Sequence, residues 1–99
     1  MQTKRGGIGI PEVFRLYGYS FFFYSREHEP LHIHVEGNDG MAKFDWNGTE
    51  FKVSERHGIK ARDFRKISAA IKENTLLIIK FWNKYFCPND DNEDHANMV

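Results

Sequence analysis

The segment from Glu27 to Glu36, Glu-His-Glu-Pro-Leu-His-Ile-His-Val-Glu, holds most of the chemistry this chain could perform. From Leu31 onward, apolar and polar residues alternate strictly. In an extended strand Leu31, Ile33 and Val35 point one way, and His32, His34 and Glu36 point the other. Successive members of the polar row stand about 6 to 7 Å apart at their Cα atoms. Two imidazoles at this spacing can converge on one divalent ion (zinc, nickel or manganese), with His28, Glu36, Glu27 or Glu29 as a third ligand. A carboxylate third ligand and an open position would make such a centre similar to a catalytic zinc or iron site. Alternatively the histidines handle protons near neutral pH, and Arg26, Lys43 or Arg15 stabilises an anion, as in metal-free ribonucleases. The third reading is a polar sheet face that meets water or a partner, where histidine is well tolerated. The sequence has neither a His-Glu-x-x-His helix nor a Cys-x-x-Cys pair to strengthen the metal reading. His57 and His95 read as ordinary exposed residues, and Ser20 and Ser25 have no evident histidine–acid pairing.

The elements that must position these residues begin with a strand meander. Val13–Tyr17 and Ser20–Ser25 are β-rich runs around Gly18-Tyr19, and a glycine leading the turn suits a two-residue type II′ hairpin. Phe21 and Phe23 share one pleat face and Phe22 and Tyr24 the other, so this strand is expected to be central and shielded on both sides. Gly37-Asn-Asp-Gly40 supplies turn chemistry before Met41–Trp46. Asn47-Gly48 is the strongest short hairpin signal, followed by a fifth run, Thr49–Val53. After Gly58 the period changes to three and four: Phe64, Ile67 and Ile71, then Ile78, Trp82 and Tyr85. Asn74-Thr75 are poor helix formers. Two helices are expected, about 60–73 and 75–86, with one bent helix as the alternative. Pro88 stops helix formation.

Ninety-nine residues suit one domain, and an aromatic content of 15% is ample for its core. Lone Cys87 excludes an internal disulfide and favours a reducing compartment. No run approaches the roughly 20 apolar residues of a membrane span. Lys4 and Arg5 have no apolar run behind them, so no secretion signal is expected and the expected location is cytoplasmic. A net charge of zero argues against general coating of nucleic acid. It conceals an asymmetry, however. Lys60, Arg62, Arg65, Lys66, Lys72, Lys80 and Lys84 face only Asp63 and Glu73 in the helical region, and an acidic tail follows. Arg62, Arg65 and Lys66 are therefore candidates for contact with RNA or an acidic partner, the alternative being a solvated face. Phe81 and Phe86, off the expected apolar stripe, are candidates for a partner or dimer patch.

The run Pro11-Glu-Val-Phe-Arg-Leu-Tyr-Gly-Tyr-Ser-Phe-Phe-Phe-Tyr-Ser25, then Glu27-His-Glu-Pro-Leu-His-Ile-His-Val35, resembles the bacterial domain of unknown function 4160 family. Trp82, Tyr85 and Phe86 match the Trp-x-x-Tyr-Phe motif with which its members close. The resemblance covers about residues 11 to 86. It implies no activity. Its members often sit beside another small protein in an arrangement similar to a toxin–antitoxin pair, which implies a small protein partner encoded nearby.

Together these readings give an α+β domain over residues 11–87. A four- to five-stranded antiparallel meander is followed by two C-terminal helices packed on one face. Residues 1–10 form an N-terminal extension, and 88–99 an acidic tail expected to be disordered. The core candidates are Phe14, Leu16, Phe21, Phe23, Ile33, Phe44, Phe64, Ile67, Ile71, Ile78 and Trp82. Two functions follow. The first is a protein-interaction module of a toxin–antitoxin-like pair, with a small protein partner or a second copy of itself. The second is a metal-dependent or histidine-based hydrolase or ribonuclease built on His32 and His34.

Overall fold

The computed structural model describes residues 11–24 and 30–86. The N-terminal extension, the acidic tail, Cys87 and the residues Ser25 to Glu29, with Glu27, His28 and Glu29 among them, lie outside the described residues.

Five strands form one antiparallel sheet in sequential order: β1 (Glu12–Leu16), β2 (Tyr19–Phe22), β3 (His32–Gly37), β4 (Met41–Trp46) and β5 (Phe51–His57). Two helices follow, α1 (Ala61–Glu73) and α2 (Thr75–Phe86). This is the expected α+β meander with two C-terminal helices.

The β1–β2 turn differs from the expected one. Leu16 pairs with Tyr19, so Tyr17 and Gly18 are the loop residues. Both have positive φ, 54° and 80°, which is the type I′ pattern. Gly18 stands second in the turn, not first. The β4–β5 loop is also longer than a two-residue Asn-Gly turn. Trp46 pairs with Phe51, and the Asn47 side-chain oxygen accepts the N–H groups of Thr49 (2.8 Å) and Glu50 (2.9 Å). An asparagine folded back on the following amides delays the strand to Phe51. At its other end β5 continues past Val53 to His57, because β4 keeps pairing with it through Met41 and His57.

Register places Phe21, Val35 and Ala42 in one cross-strand row, with Ile33 and Phe44 in the next. These side chains are buried against Ile67, Ala70 and Ile71 of α1 and Ile78 and Trp82 of α2. Each fully buried Ile or Phe contributes roughly 1.5–3 kcal/mol of transfer free energy. Phe21 and Phe23, then, face the helices. Leu16, expected in the core, is 36% exposed, since β1 is an edge strand and Leu16 stands at its last position.

Asn74 separates the helices as a single non-helical residue (φ −113°, ψ 21°). Its side-chain amide donates to the Ala70 carbonyl (2.8 Å), and the Thr75 hydroxyl donates to Ile71 (3.0 Å). The Asn74 backbone N–H also bonds both carbonyls (3.0 and 3.2 Å), so the two side chains add second donors to the last turn of α1. The carbonyl of Asn74 then accepts Ile78 N–H (2.9 Å) and opens α2. The chain makes two helices, as the spacing predicts.

Candidate functional site

The sheet face opposite the core holds the histidine row. Cross-strand partners share a face, so β2, β3 and β4 align Phe22–His34–Lys43, with Ser20–Glu36–Met41 on one side and His32–Asp45 on the other. This face would ordinarily be wet. Here its centre is not. Phe22 is 1% exposed, Ser20 3%, His32 5% and His34 9%.

His34 lies among rings. Its centroid is 5.5 Å from Phe22 (stacked), 4.6 Å from Tyr24 (edge-on) and 5.0 Å from His32, with the two imidazole planes at 86°. His32 reaches further, to Trp82 of α2 at 5.5 Å. Trp82 also packs edge-on against Phe23 at 5.0 Å. The His32 ring therefore joins the core-side aromatics to those of the opposite face. Its Nδ1 lies 2.6 Å from the Pro30 carbonyl oxygen. A carbonyl only accepts, so Nδ1 carries the proton in this contact.

Charged neighbours flank this pair. Lys43, directly across from His34, reaches Asp45, which is across from His32, at 3.7 Å. Glu36 is half-buried one row beyond His34. Among the described residues, no group of three His, Cys, Asp or Glu side chains is gathered to hold a metal ion. Arg15 is exposed on β1 and paired with Glu12 at 3.2 Å.

The other candidates divide. Arg62 and Arg65 are exposed on α1, and Lys66 places its ammonium 5.4 Å from the Tyr17 ring centroid. Phe81 and Phe86 are half-buried and pack on the core, with Phe86 4.4 Å from Trp82 and 6.1 Å from Phe23. Tyr85 was expected to extend the buried stripe and does not: it is 48% exposed. The exposed side of α2 instead carries Leu76 (80% exposed), Leu77 (44%) and Tyr85, with Tyr85 stacked on Phe81 at 6.0 Å. These residues are hidden in the sequence by the run Leu76-Leu77-Ile78-Ile79, which is apolar all round. Its surplus width beyond one helix face was the available signal.

A sequential five-stranded antiparallel sheet, covered on one face by two helices and carrying a histidine pair on the other, defines the class. The chain matches the family model described as Domain of unknown function (DUF4160) over residues 18–83 and belongs to that family. No curated protein and no solved structure matches it. No helix among the described residues is long and apolar enough to cross a membrane.

Proposed function

We propose that the protein is an interaction module, one half of a toxin–antitoxin-like pair, and that α2 is its docking helix. The observation that carries this reading is the exposed apolar set Leu76, Leu77 and Tyr85 on α2, with half-buried Phe81 between Leu77 and Tyr85 at a spacing of four residues. Ile78 and Trp82, on the adjoining side of α2, already fix the helix to the sheet. Large apolar side chains that are exposed together at helical spacing mark a partner surface.

Charge selects the partner. Lys80 and Lys84 run along one side of the Leu77–Phe81–Tyr85 row, and α2 contains no acidic residue. A second copy docking helix to helix would bring like charges together, which disfavours a homodimer through this face. The fitting partner is a small protein with an apolar groove or helix rimmed by carboxylates. The basic α1 residues Arg62 and Arg65 extend the same complementarity.

Co-expression with the small protein encoded beside it tests the reading. A one-to-one complex should form, weaken with added salt, and disappear in a Leu77→Asp/Tyr85→Asp variant that remains folded. Absence of a complex would reject the reading. So would concentration-dependent self-association through this helix. RNA binding that depends on Arg62 and Arg65, with no protein complex, would assign the basic surface to nucleic acid instead.

A further inference from the structure

We propose that β5 is a self-recognition edge: a second copy of the chain joins its own β5 to it, antiparallel about a twofold axis, and the two sheets become one. β5 ends the strand order, so among the described residues its outer side has no neighbouring strand. Lys52 to His57 are all exposed. Val53 shares the helix side of the sheet with Phe44 yet is 43% exposed, so the helices leave this edge uncovered. Such an edge presents backbone N–H and C=O groups that a further strand can pair. The other edge is a poorer template. β1 has five residues against seven in β5, and its Glu12 and Arg15 already pair with each other at 3.2 Å.

A bulge makes this edge specific. Lys43 pairs with Glu55 and Phe44 with Val53, which leaves Ser54 as an extra residue, its hydroxyl donating to the Lys43 carbonyl (3.3 Å). Pairing with β4 therefore sets Phe51, Val53 and Arg56 on the helix side, and Lys52, Glu55 and His57 on the other. A regular strand does not match this change of face, whereas a second copy carries the same one. With Val53 opposite the partner's Ser54, the two bulges meet at the axis. Phe51 then lies opposite the partner's Arg56 on the helix side, and Lys52 opposite the partner's Glu55 on the other. The axis makes each pair twice, and the Lys52–Glu55 pairs join unlike charges. A one-residue slip would set Phe51 against a residue of the other face. A two-residue slip would oppose Glu50 to Glu55 or Lys52 to His57, like charges in the first case and no carboxylate for Lys52 in the second. Lys52 is 3.8 Å from Glu50 of its own chain, but both side chains are well exposed and a surface pair of this kind is weak enough to be exchanged. Arg56 is already held on the helix side, over the Phe64 ring at 4.0 Å.

Sedimentation equilibrium of the full chain, alone in solution, tests this edge apart from any docking on α2. The wild type should pass reversibly from monomer to dimer with concentration, and the Leu77→Asp/Tyr85→Asp variant should do the same. Lys52→Glu and Glu55→Lys each set like charges opposite one another, and each should weaken the dimer at least tenfold. Mixed one to one, these two variants should form a heterodimer about as tight as the wild-type dimer, because each carries the charges that the other lacks. A mass that stays monomeric up to about 1 mM overturns the proposal. So does a dimer that neither charge reversal weakens, one that the α2 variant abolishes, or one that mixing fails to restore. If a variant fails to fold, backbone amide exchange in the wild type decides. Protection that rises with concentration along β5 supports the edge, and protection that rises only elsewhere overturns it.

Discussion

Replacing Ile78 and Leu77 by alanine, one at a time, should separate the structural side of α2 from its recognition side. Ile78 is fully buried among the core residues, and Leu77, its immediate neighbour, is 44% exposed. Truncating Ile78 to its Cβ removes transfer free energy and leaves a cavity between α2 and the sheet, about 2–5 kcal/mol in all. A chain of this length has roughly 5–15 kcal/mol of total stability, so one substitution would remove a large share. Leu77 already has nearly half its surface in water. Truncation there forfeits about half of a leucine's 1.5–3 kcal/mol, partly offset by alanine's better helix propensity, for a net cost of about 1 kcal/mol or less. In urea, with a slope of about 1–3 kcal/mol per M, Ile78→Ala should lower the unfolding midpoint by roughly 1–3 M, and Leu77→Ala by well under 1 M. The slope itself should not change in either variant. In the partner-binding assay the ranking reverses. Leu77→Ala should weaken the complex by about 1–2 kcal/mol, or roughly 5- to 30-fold, while folded Ile78→Ala binds nearly as before. Equal loss of stability in the two variants would refute the assignment of faces, and unchanged binding in Leu77→Ala would refute the docking role.

Two further outcomes follow from the backbone and from Tyr19. A Cβ at Gly40 would collide with the His57 carbonyl oxygen and lie 2.8 Å from the Gly58 carbonyl carbon, so Gly40→Ala should cost about 1–3 kcal/mol by thermal unfolding, whereas Gly18→Asn, at an open position with φ +80°, should be near neutral. Burial first, then the charges of Asp63 and Asp39 and the 3.5 Å hydrogen bond to Asp63, raise the Tyr19 hydroxyl above its ordinary 10.0. The unfolded chain therefore loses this proton at lower pH than the folded one, and stability from this group falls as pH rises beyond about 10. Tyr19→Phe should flatten that alkaline loss; an identical decline in both proteins would exclude Tyr19 as its source.

The sequence made the sheet legible wherever one face had to be buried. Leu31 to Glu36 alternates strictly because Ile33 and Val35 must reach the helices, and the register follows. Asn74-Thr75 announced the helix break because their side chains compete for backbone carbonyls. Turn chemistry was less legible: Gly18 supplied a positive φ, but nothing local demanded the same of Tyr17. Tyr85 continued a period without being buried, since α2 is apolar beyond the width the sheet can cover. For the histidines, alternation put both rings on one face, but their enclosure depends on Phe22, Tyr24 and Trp82. Those neighbours are brought in by strand pairing and by the end of α2, contacts that are distant in sequence.

The sequential strand order also bears on how the chain finds this shape. Every strand is hydrogen-bonded to its predecessor in sequence, so the sheet can grow hairpin by hairpin with low contact order. The connections differ in their entropic cost. Tyr17-Gly18 closes a two-residue loop, while residues 23–31 join β2 to β3, a difference of roughly 1–1.5 kcal/mol in closure entropy. The β2–β3 pairing is the one that sets Phe22 beside His34. The connection with the largest closure cost is thus the one on which the histidine face depends, since without the β2 pairing β3 would be an edge strand.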